Sequence, residues 1–412
     1  MSLRGLAAAR VVTCDPARAT ATDPLGVIED GAVLYEDGVV RWVGPRAEAD
    51  GAELVDLGPR VVTPGLVDAH THAAWMGSRH DEYALRMAGA DYRAIAAAGG
   101  GIVSSQRAIA AATEEQIADT LAARLGRMAR MGVTTCEVKS GYGLEPEEEL
   151  KQLRAIARVA ERDDLPRVVP TFLALHALPP SAAQTRDHYV LRATTLVQEV
   201  ARAGLARFVD AYVDKNAFTV EEARLVGERA RADGLGVRMH VGQFFDIGGA
   251  ELAAELGARS CDHLEHVSAA GIARMAAAGT SAVLLPTASF TLGQSPPPVA
   301  ALRDAGVRLV VATDANPGTA PTESLPLAIA MAVRLYGLSL PEALLGATRA
   351  AALSLLLEDD DGAPARGVLA PGAHADIVAW DLPHEAALAQ PWGVPCTHLV
   401  LRGGTPIGAA GA

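Results

Sequence analysis

Cysteine is scarce in this chain, and so is basic charge. The four cysteines, Cys14, Cys136, Cys261 and Cys396, lie far apart with no Cys-x-x-Cys spacing, which excludes a disulfide framework and a zinc-finger module. Reduced, buried thiols in a cytoplasmic protein are the expectation. The 36 Lys and Arg residues face 49 Asp and Glu, for a net charge of −13. That balance argues against nucleic acid or an anionic membrane as a partner. It also demands a local basic group wherever an anionic ligand is held. A membrane-spanning run is missing as well. Residues 275–302 carry no charge, but Pro286, Pro296, Pro297, Pro298 and Gln294 would break a helix there, and a buried strand followed by a loop is expected. The opening "MSLRGLAAARVV" is interrupted by Arg4 and Arg10 and does not read as a secretory signal. "GGGIVSS" at 99–105 is Gly-rich but does not sit between a strand and a helix as a dinucleotide-binding turn requires.

Half of the 412 residues are apolar and 21% are charged, the composition of a folded protein able to bury a large core. Through the middle of the chain eight apolar runs read as strands: "VVTPGLVDAH", "VTTCEVK", "RVVPTFLAL", "RFVDAYV", "GVRMH", "RSCDHLE", "TSAVLL" and "VRLVVAT". Between them lie stretches of helical composition such as "EEELKQLRAIARVAERD" and "VEEARLVGERARADG". Near-continuous apolar strands alternating with helices imply a parallel sheet covered by helices. Eight such units predict an α/β fold, a (β/α)8 TIM-like barrel, with an open doubly wound sheet as the alternative. The ends differ from the middle. "AVLYEDGVVRWV" alternates around Asp37-Gly38 and predicts a hairpin, while "HADIVAWD" and "THLVLRGG" read as short strands. Both termini are expected to pair into one small composite β-domain, made of residues 1–61 and 366–412, beside a barrel of residues 62–365.

In such barrels chemistry gathers at the C-terminal ends of the strands. His70 and His72 end the first strand, in "PGLVDAHTH", and i and i+2 side chains of an extended chain share a face. His240 ends the fifth strand, His263 the sixth and Asp314 the eighth. Taken singly, each has an ordinary reading: two solvated imidazoles in a loop, a core histidine, a surface acid. Packing gives no reason for them to collect at one mouth of the fold. Three histidines and a carboxylate make a site suited to zinc, iron(II) or a similar divalent ion.

With this pattern the chain resembles the amidohydrolase superfamily, metal-dependent hydrolases on a distorted barrel with a composite β-domain from both termini. The tail "GVLAPGAHADIVAWD" is similar to that domain's second segment. The blocks "PGLVDAHTHAAWMGSR", "AGGGIVSS", "EVKSGYGL", "TFLALHAL", "DHLEH" and "ATDANPGTAPTESLPL" resemble more closely the branch that opens 4-imidazolone-5-propanoate in histidine degradation. The resemblance implies one divalent metal ion, zinc or iron, on His70, His72, His240 and Asp314. It implies a pocket for a small anionic substrate lined by Arg79, Tyr142, His176, Gln243, Asn316, Gly318 and Thr319. The Arg79 guanidinium would hold the propionate by two parallel hydrogen bonds. Asp314 would take the proton of the attacking water and pass it to the leaving ring nitrogen, with His263 assisting at the developing oxyanion, to give N-formimidoyl-L-glutamate.

Two positions qualify what the resemblance implies. Gln243 follows His240 by three residues, where deaminases of the superfamily commonly carry a proton-shuttling Glu. An amide cannot take that role, which counts against deamination; a hydrolase or deaminase of another cyclic amide or amidine is the alternative reading. Lys139 is one of three lysines, and some relatives bridge two metals with a carbamylated Lys. It belongs to the second strand candidate, the wrong strand for that role, so one metal and an unmodified Lys139 are expected. Many barrels of this kind form homodimers, although no stretch here advertises an interface. Residues 79–105, long and Gly-rich, are the expected cover of the site.

Overall fold

The computed structural model describes residues 3–89, 100–179, 186–357 and 365–408. The chain begins with β1 (Arg4–Val12), β2 (Val27–Glu36), β3 (Val39–Pro45), β4 (Glu53–Asp56) and β5 (Val61–Pro64). β1, β2 and β3 are antiparallel neighbours, and β4 and β5 run parallel to β1. The predicted hairpin is β2–β3. Asp37 (φ 51°) and Gly38 (φ 77°) form its turn, the pair of left-handed residues that matches strand twist.

The barrel follows in chain order: β6 (Leu66–Asp68), β7 (Val133–Lys139), β8 (Arg167–Leu175), β9 (Phe208–Val213), β10 (Gly236–Val241), β11 (Ser260–His263), β12 (Ser281–Leu284) and β13 (Leu309–Val311). Each pairs in parallel with the next. β7 is buried at every position, as a strand covered on both faces should be. Two of the intervening helices start on capping boxes, Thr113 with Gln116 and Thr219 with Glu222, at the heads of Glu114–Ala129 and Val220–Ala232. The chain then returns to the first sheet as β14 (Ile377–Trp380), β15 (Thr397–Arg402) and β16 (Thr405–Pro406), with β14 antiparallel to β5. Strands from both ends of the chain therefore make one sheet, and each of the eight strand runs expected in the middle gives one strand of the other.

Three expectations need correction. "VVTPGLVDAH" is two strands: β5 belongs to the terminal sheet and β6 to the barrel. The chain changes sheets at Gly65, where a Cβ would stand 2.1 Å from Thr134 Oγ1, so only glycine passes β7 this closely. The stretch after β12 is not all loop; Pro286–Leu292 is a short helix with proline in its first turn, where the missing N–H costs nothing. Cys14, Cys136 and Cys261 are free and buried as expected, but Cys396 is only half-buried. Among the described residues no helix is long and apolar enough to cross a membrane.

The barrel closes in an unusual manner. Among the described residues no ladder joins β13 to β6. Instead the Asp68 carboxylate accepts from the Thr313 backbone N–H at 3.1 Å and from Thr313 Oγ1 at 2.7 Å. Just beyond, Asp314 N–H donates to His70 O and His72 N–H to Ala315 O, both at 3.0 Å. The seam of the barrel is thus knitted by the segments that carry His70, His72 and Asp314.

Candidate metal centre and active site

His70, His72 and His240 are buried, and one ring nitrogen from each lies within 4.8 Å of the others. His70 Nε2 and His72 Nε2 are each 3.4 Å from Asp314 Oδ1, and His240 Nε2 is 3.4 Å from His72 Nε2. His70 Nε2 and Asp314 Oδ1 are buried without a hydrogen-bond partner. Orphaned buried polar atoms need an explanation, and convergent lone pairs on nitrogen and oxygen are what a divalent cation satisfies. Burial holds the His70 and His72 pKa values well below the ordinary imidazole value, helped by neighbouring positive charge. Both rings are therefore neutral, the form that can ligate. Asp314 is pushed up to about 6 by burial, against the pull of His263 and His240. Asp314 and His263 also have positive φ, 55° and 82°, and backbone strain of this kind tends to gather where function demands a fixed geometry. The donor set fits a metal ion.

His263 stands beside this cluster, its ring centroid 5.4 Å from that of His240 and 6.0 Å from that of His70. Burial opposes its charge, but Glu265, whose Oε2 is 3.9 Å from Nδ1, together with Asp314 and Asp262, raises its pKa above the ordinary value. Tyr142 and His176 pack on His72, at 5.8 and 5.3 Å between centroids. His176 donates its Nδ1–H to Gly141 O at 2.7 Å, and burial lowers its pKa to about 3. Gln243 is buried beside the cluster, its Oε1 accepting from the Tyr212 hydroxyl at 2.8 Å.

Arg79, Asn316, Gly318 and Thr319 meet each other at the rim, in a manner the sequence did not suggest. The Arg79 Nε and Nη2 edge is taken by Glu82, so the two-point grip expected from that edge is already engaged. Nη1 lies over Gly318, where a Cβ would come within 2.3 Å, so any larger residue there would push the Arg79 guanidinium aside. Asn316 uses both ends of its amide on its own loop. Its Oδ1 accepts from Gly318 N–H and Thr319 N–H at 2.9 and 2.8 Å, and its Nδ2 donates to Asp314 O at 2.7 Å. It shapes the turn after Asp314. A cleft of about 790 Å³ opens beside Arg79, lined by Trp75, Tyr83, Arg127, Pro317 and Leu327 among others. Of the expected cover, residues 79–89 and 100–105 contribute to the helices His80–Met87 and Ile102–Ala111, and residues 90–99 lie outside the described residues.

Sequence reasoning missed the carboxylates behind the histidines. Asp262 Oδ2 is 2.6 Å from His70 Nδ1, and Asp210 Oδ1 is 3.0 Å from His240 Nδ1. The available signal was a single acid inside otherwise apolar strands, "RFVDAYV" and "RSCDHLE", since a fully buried charge must be paired.

The family model described as the amidohydrolase family matches residues 61–406. The imidazolonepropionase of Caulobacter vibrioides (strain NA1000 / CB15N) is 44% identical over 397 residues, covering 95% of this chain and 96% of its own. That of Chromobacterium violaceum is 47% identical over 394 residues, 94% of this chain and 93% of its own. Among solved structures, an adenosine deaminase from Xanthomonas campestris with bound Zn superposes with a TM-score of 0.73 at 21% identity, covering 98% of this chain and 92% of that one. A triazine hydrolase variant gives 0.75 at 17%, covering 100% and 97%. At these identities the solved structures speak for the fold alone.

Proposed function

The chain belongs to the amidohydrolase family, and from that premise we propose that it is a metal-dependent hydrolase opening the cyclic amide of 4-imidazolone-5-propanoate to N-formimidoyl-L-glutamate, a step of histidine degradation. The observation that carries the reading is the convergence of His70, His72 and His240 at the barrel seam, with Asp314 Oδ1 3.4 Å from both His70 Nε2 and His72 Nε2. These four residues would hold one divalent ion, and their nitrogen and oxygen donors suit zinc or iron(II). When bound, such an ion lowers the pKa of water toward neutrality and polarises a carbonyl oxygen.

The chain's own groups supply the rest. Asp314 accepts the proton of the attacking water and returns it to the ring nitrogen as the C–N bond breaks. His263, favoured in its charged form, donates a hydrogen bond to the oxygen on which negative charge develops. Tyr142 and His176 wall the ring, and Arg79 offers its Nη1 side to the propionate. Gln243 does not titrate, which favours hydrolysis of a lactam over deamination.

The test is to mix purified protein with fresh imidazolone propionate, subtract spontaneous decay, and identify the product by mass. Metal-dependent formation of N-formimidoyl-L-glutamate is expected. Absence of acceleration overturns the reading, and release of ammonia from an amidine substrate instead would replace it with the deaminase alternative. Asp314→Asn should lower kcat by at least about 10²-fold.

A further inference from the structure

Beneath the three histidines lies a layer of charge that the proposed reaction does not use. Glu137, Lys139, Asp210 and Asp262 have wholly buried side chains, a depth that charged groups reach only when paired. Glu137 and Lys139 sit two residues apart on β7 and so share its inward face. Lys139 Nζ is 2.8 Å from Glu137 Oε1, 2.8 Å from Asp210 Oδ2 and 3.9 Å from Asp262 Oδ2. One ammonium is thus surrounded by three carboxylates.

Each carboxylate then reaches a segment that carries a candidate ligand. Asp210 Oδ1 accepts from His240 Nδ1 at 3.0 Å, and Asp262 Oδ2 from His70 Nδ1 at 2.6 Å. Glu137 Oε2 accepts from the backbone N–H of Thr71, between His70 and His72, at 3.1 Å. A carboxylate can only accept. Both rings must therefore carry hydrogen on Nδ1 and turn the Nε2 lone pair away from Lys139, toward Asp314 and His72.

We propose that Lys139 is a positioning residue of the metal centre: its ammonium, set among Glu137, Asp210 and Asp262, holds the two carboxylates that fix the Nδ1–H form and the orientation of His70 and His240. The proposal rests on the metal-centre reading above. Without the ammonium the three carboxylates repel one another, and Asp210 keeps only the long 3.3 Å bond from the His240 backbone N–H to hold it beside the ring. Lysine suits the place because its ammonium is a compact charge with three donors, where a planar guanidinium would need a flat partner. Arg238, 3.5 Å from Asp262 Oδ2, adds a second cation. Three carboxylates against two cations leave the layer negative by one charge, which favours a cation next to it.

The experiment reads metal affinity rather than turnover. Zn(II) binding to chelator-stripped protein is titrated against a chromophoric competitor for wild type, Lys139→Met, and Glu137→Gln/Lys139→Met. The double variant removes one charge of each sign and so guards against misfolding of the single one. Both variants should bind Zn(II) about 10–100-fold more weakly, the usual cost of losing support behind a ligand. In parallel, ¹⁵N NMR of metal-free wild type should find His70 and His240 as Nδ1–H tautomers, with mixtures in the variants. Variant affinities within about twofold of wild type, or an Nε2–H tautomer at either ring in wild type, overturn the proposal while leaving the metal centre intact. Wild type that binds less than about half an equivalent overturns the metal-centre reading and this proposal with it.

Discussion

At the scale of single residues, the distinction that matters is between side chains that meet a ligand and side chains that hold others in place. The His-x-His pair was legible because residue type and spacing coincide within three residues, His70 to His72. Asp210, Asp262 and Glu137 were not, because one acid in an apolar strand has no spacing to read; only the requirement that buried charge be paired marks it. Arg79 was legible as a cation near the site, but its engagement with Glu82 depends on a helix starting at His80, which brings residues three apart together. Arg79→Ala should raise KM for the substrate by one to several orders of magnitude, checked by steady-state kinetics, and an unchanged KM would remove Arg79 from the site. The buried imidazoles also set a pH dependence. His70, His72 and His176 have folded pKa values below the ordinary 6.5, His176 to about 3, chiefly through burial. Below pH 6.5 the unfolded chain binds protons that the folded chain refuses, so stability declines as pH falls from 6.5 towards 3 and is fully present above 6.5. Urea unfolding of the chelator-treated protein at pH 7.5 and 5 should show the decline, and His176→Asn should flatten part of it. Equal midpoints at the two pH values would contradict the assignment of buried neutral rings.

At the scale of elements, the rim is tied together by one carboxylate. Glu82, in the helix His80–Met87, receives Arg79, Arg86 at 3.1 Å and the backbone N–H of Gly101 at 2.7 Å, just before the helix Ile102–Ala111. Arg86 also donates to Gly318 O at 2.8 Å. The loop after the first barrel strand is thereby joined to the turn after the last. Burial opposes the charge of Glu82, but Arg79, the Gly101 N–H and Arg86 outweigh it and hold the carboxyl below its ordinary range. Charge-assisted, two-pronged bonds of this kind lose most of their strength when the carboxylate becomes an amide. Glu82→Gln should therefore raise KM by about tenfold and change kcat little, since it loosens Arg79 without touching Asp314 or His263. Equal loss of kcat and kcat/KM would assign Glu82 to the chemical step instead. The eight barrel strands were legible because fully covered strands are near-continuous apolar runs. The division of the first run into β5 and β6 was not, since what forces it is the close approach of Thr134 to Gly65, sixty-nine residues apart in sequence.

At the scale of the whole molecule, the two sheets share one continuous strip of chain, β5–Gly65–β6, and Trp380 seals it. Trp380 lies on β14, is 1% exposed, and donates Nε1–H to Thr63 Oγ1 at 2.9 Å. Its ring covers Gly132 at the mouth of β7, where a Cβ would stand 2.4 Å from the indole and where φ is +89°. One side chain from the C-terminal segment therefore packs on both the strand that enters the barrel and the turn that starts its second strand. Surface pairs such as Arg60–Asp381 at 2.6 Å also link the ends of the chain, but exposed ion pairs are worth about 0–1 kcal/mol. Truncating a buried tryptophan costs about 3–5 kcal/mol, so the indole and not the ion pair dominates this seam. Trp380→Ala should lower the denaturant midpoint accordingly and let the terminal sheet lose protection in hydrogen exchange before β7 to β12 do. Asp381→Ala should do neither. If both variants unfold like wild type, the two sheets are held together elsewhere, and the composite domain expected from the two ends of the sequence would be joined to the barrel by more than this strip.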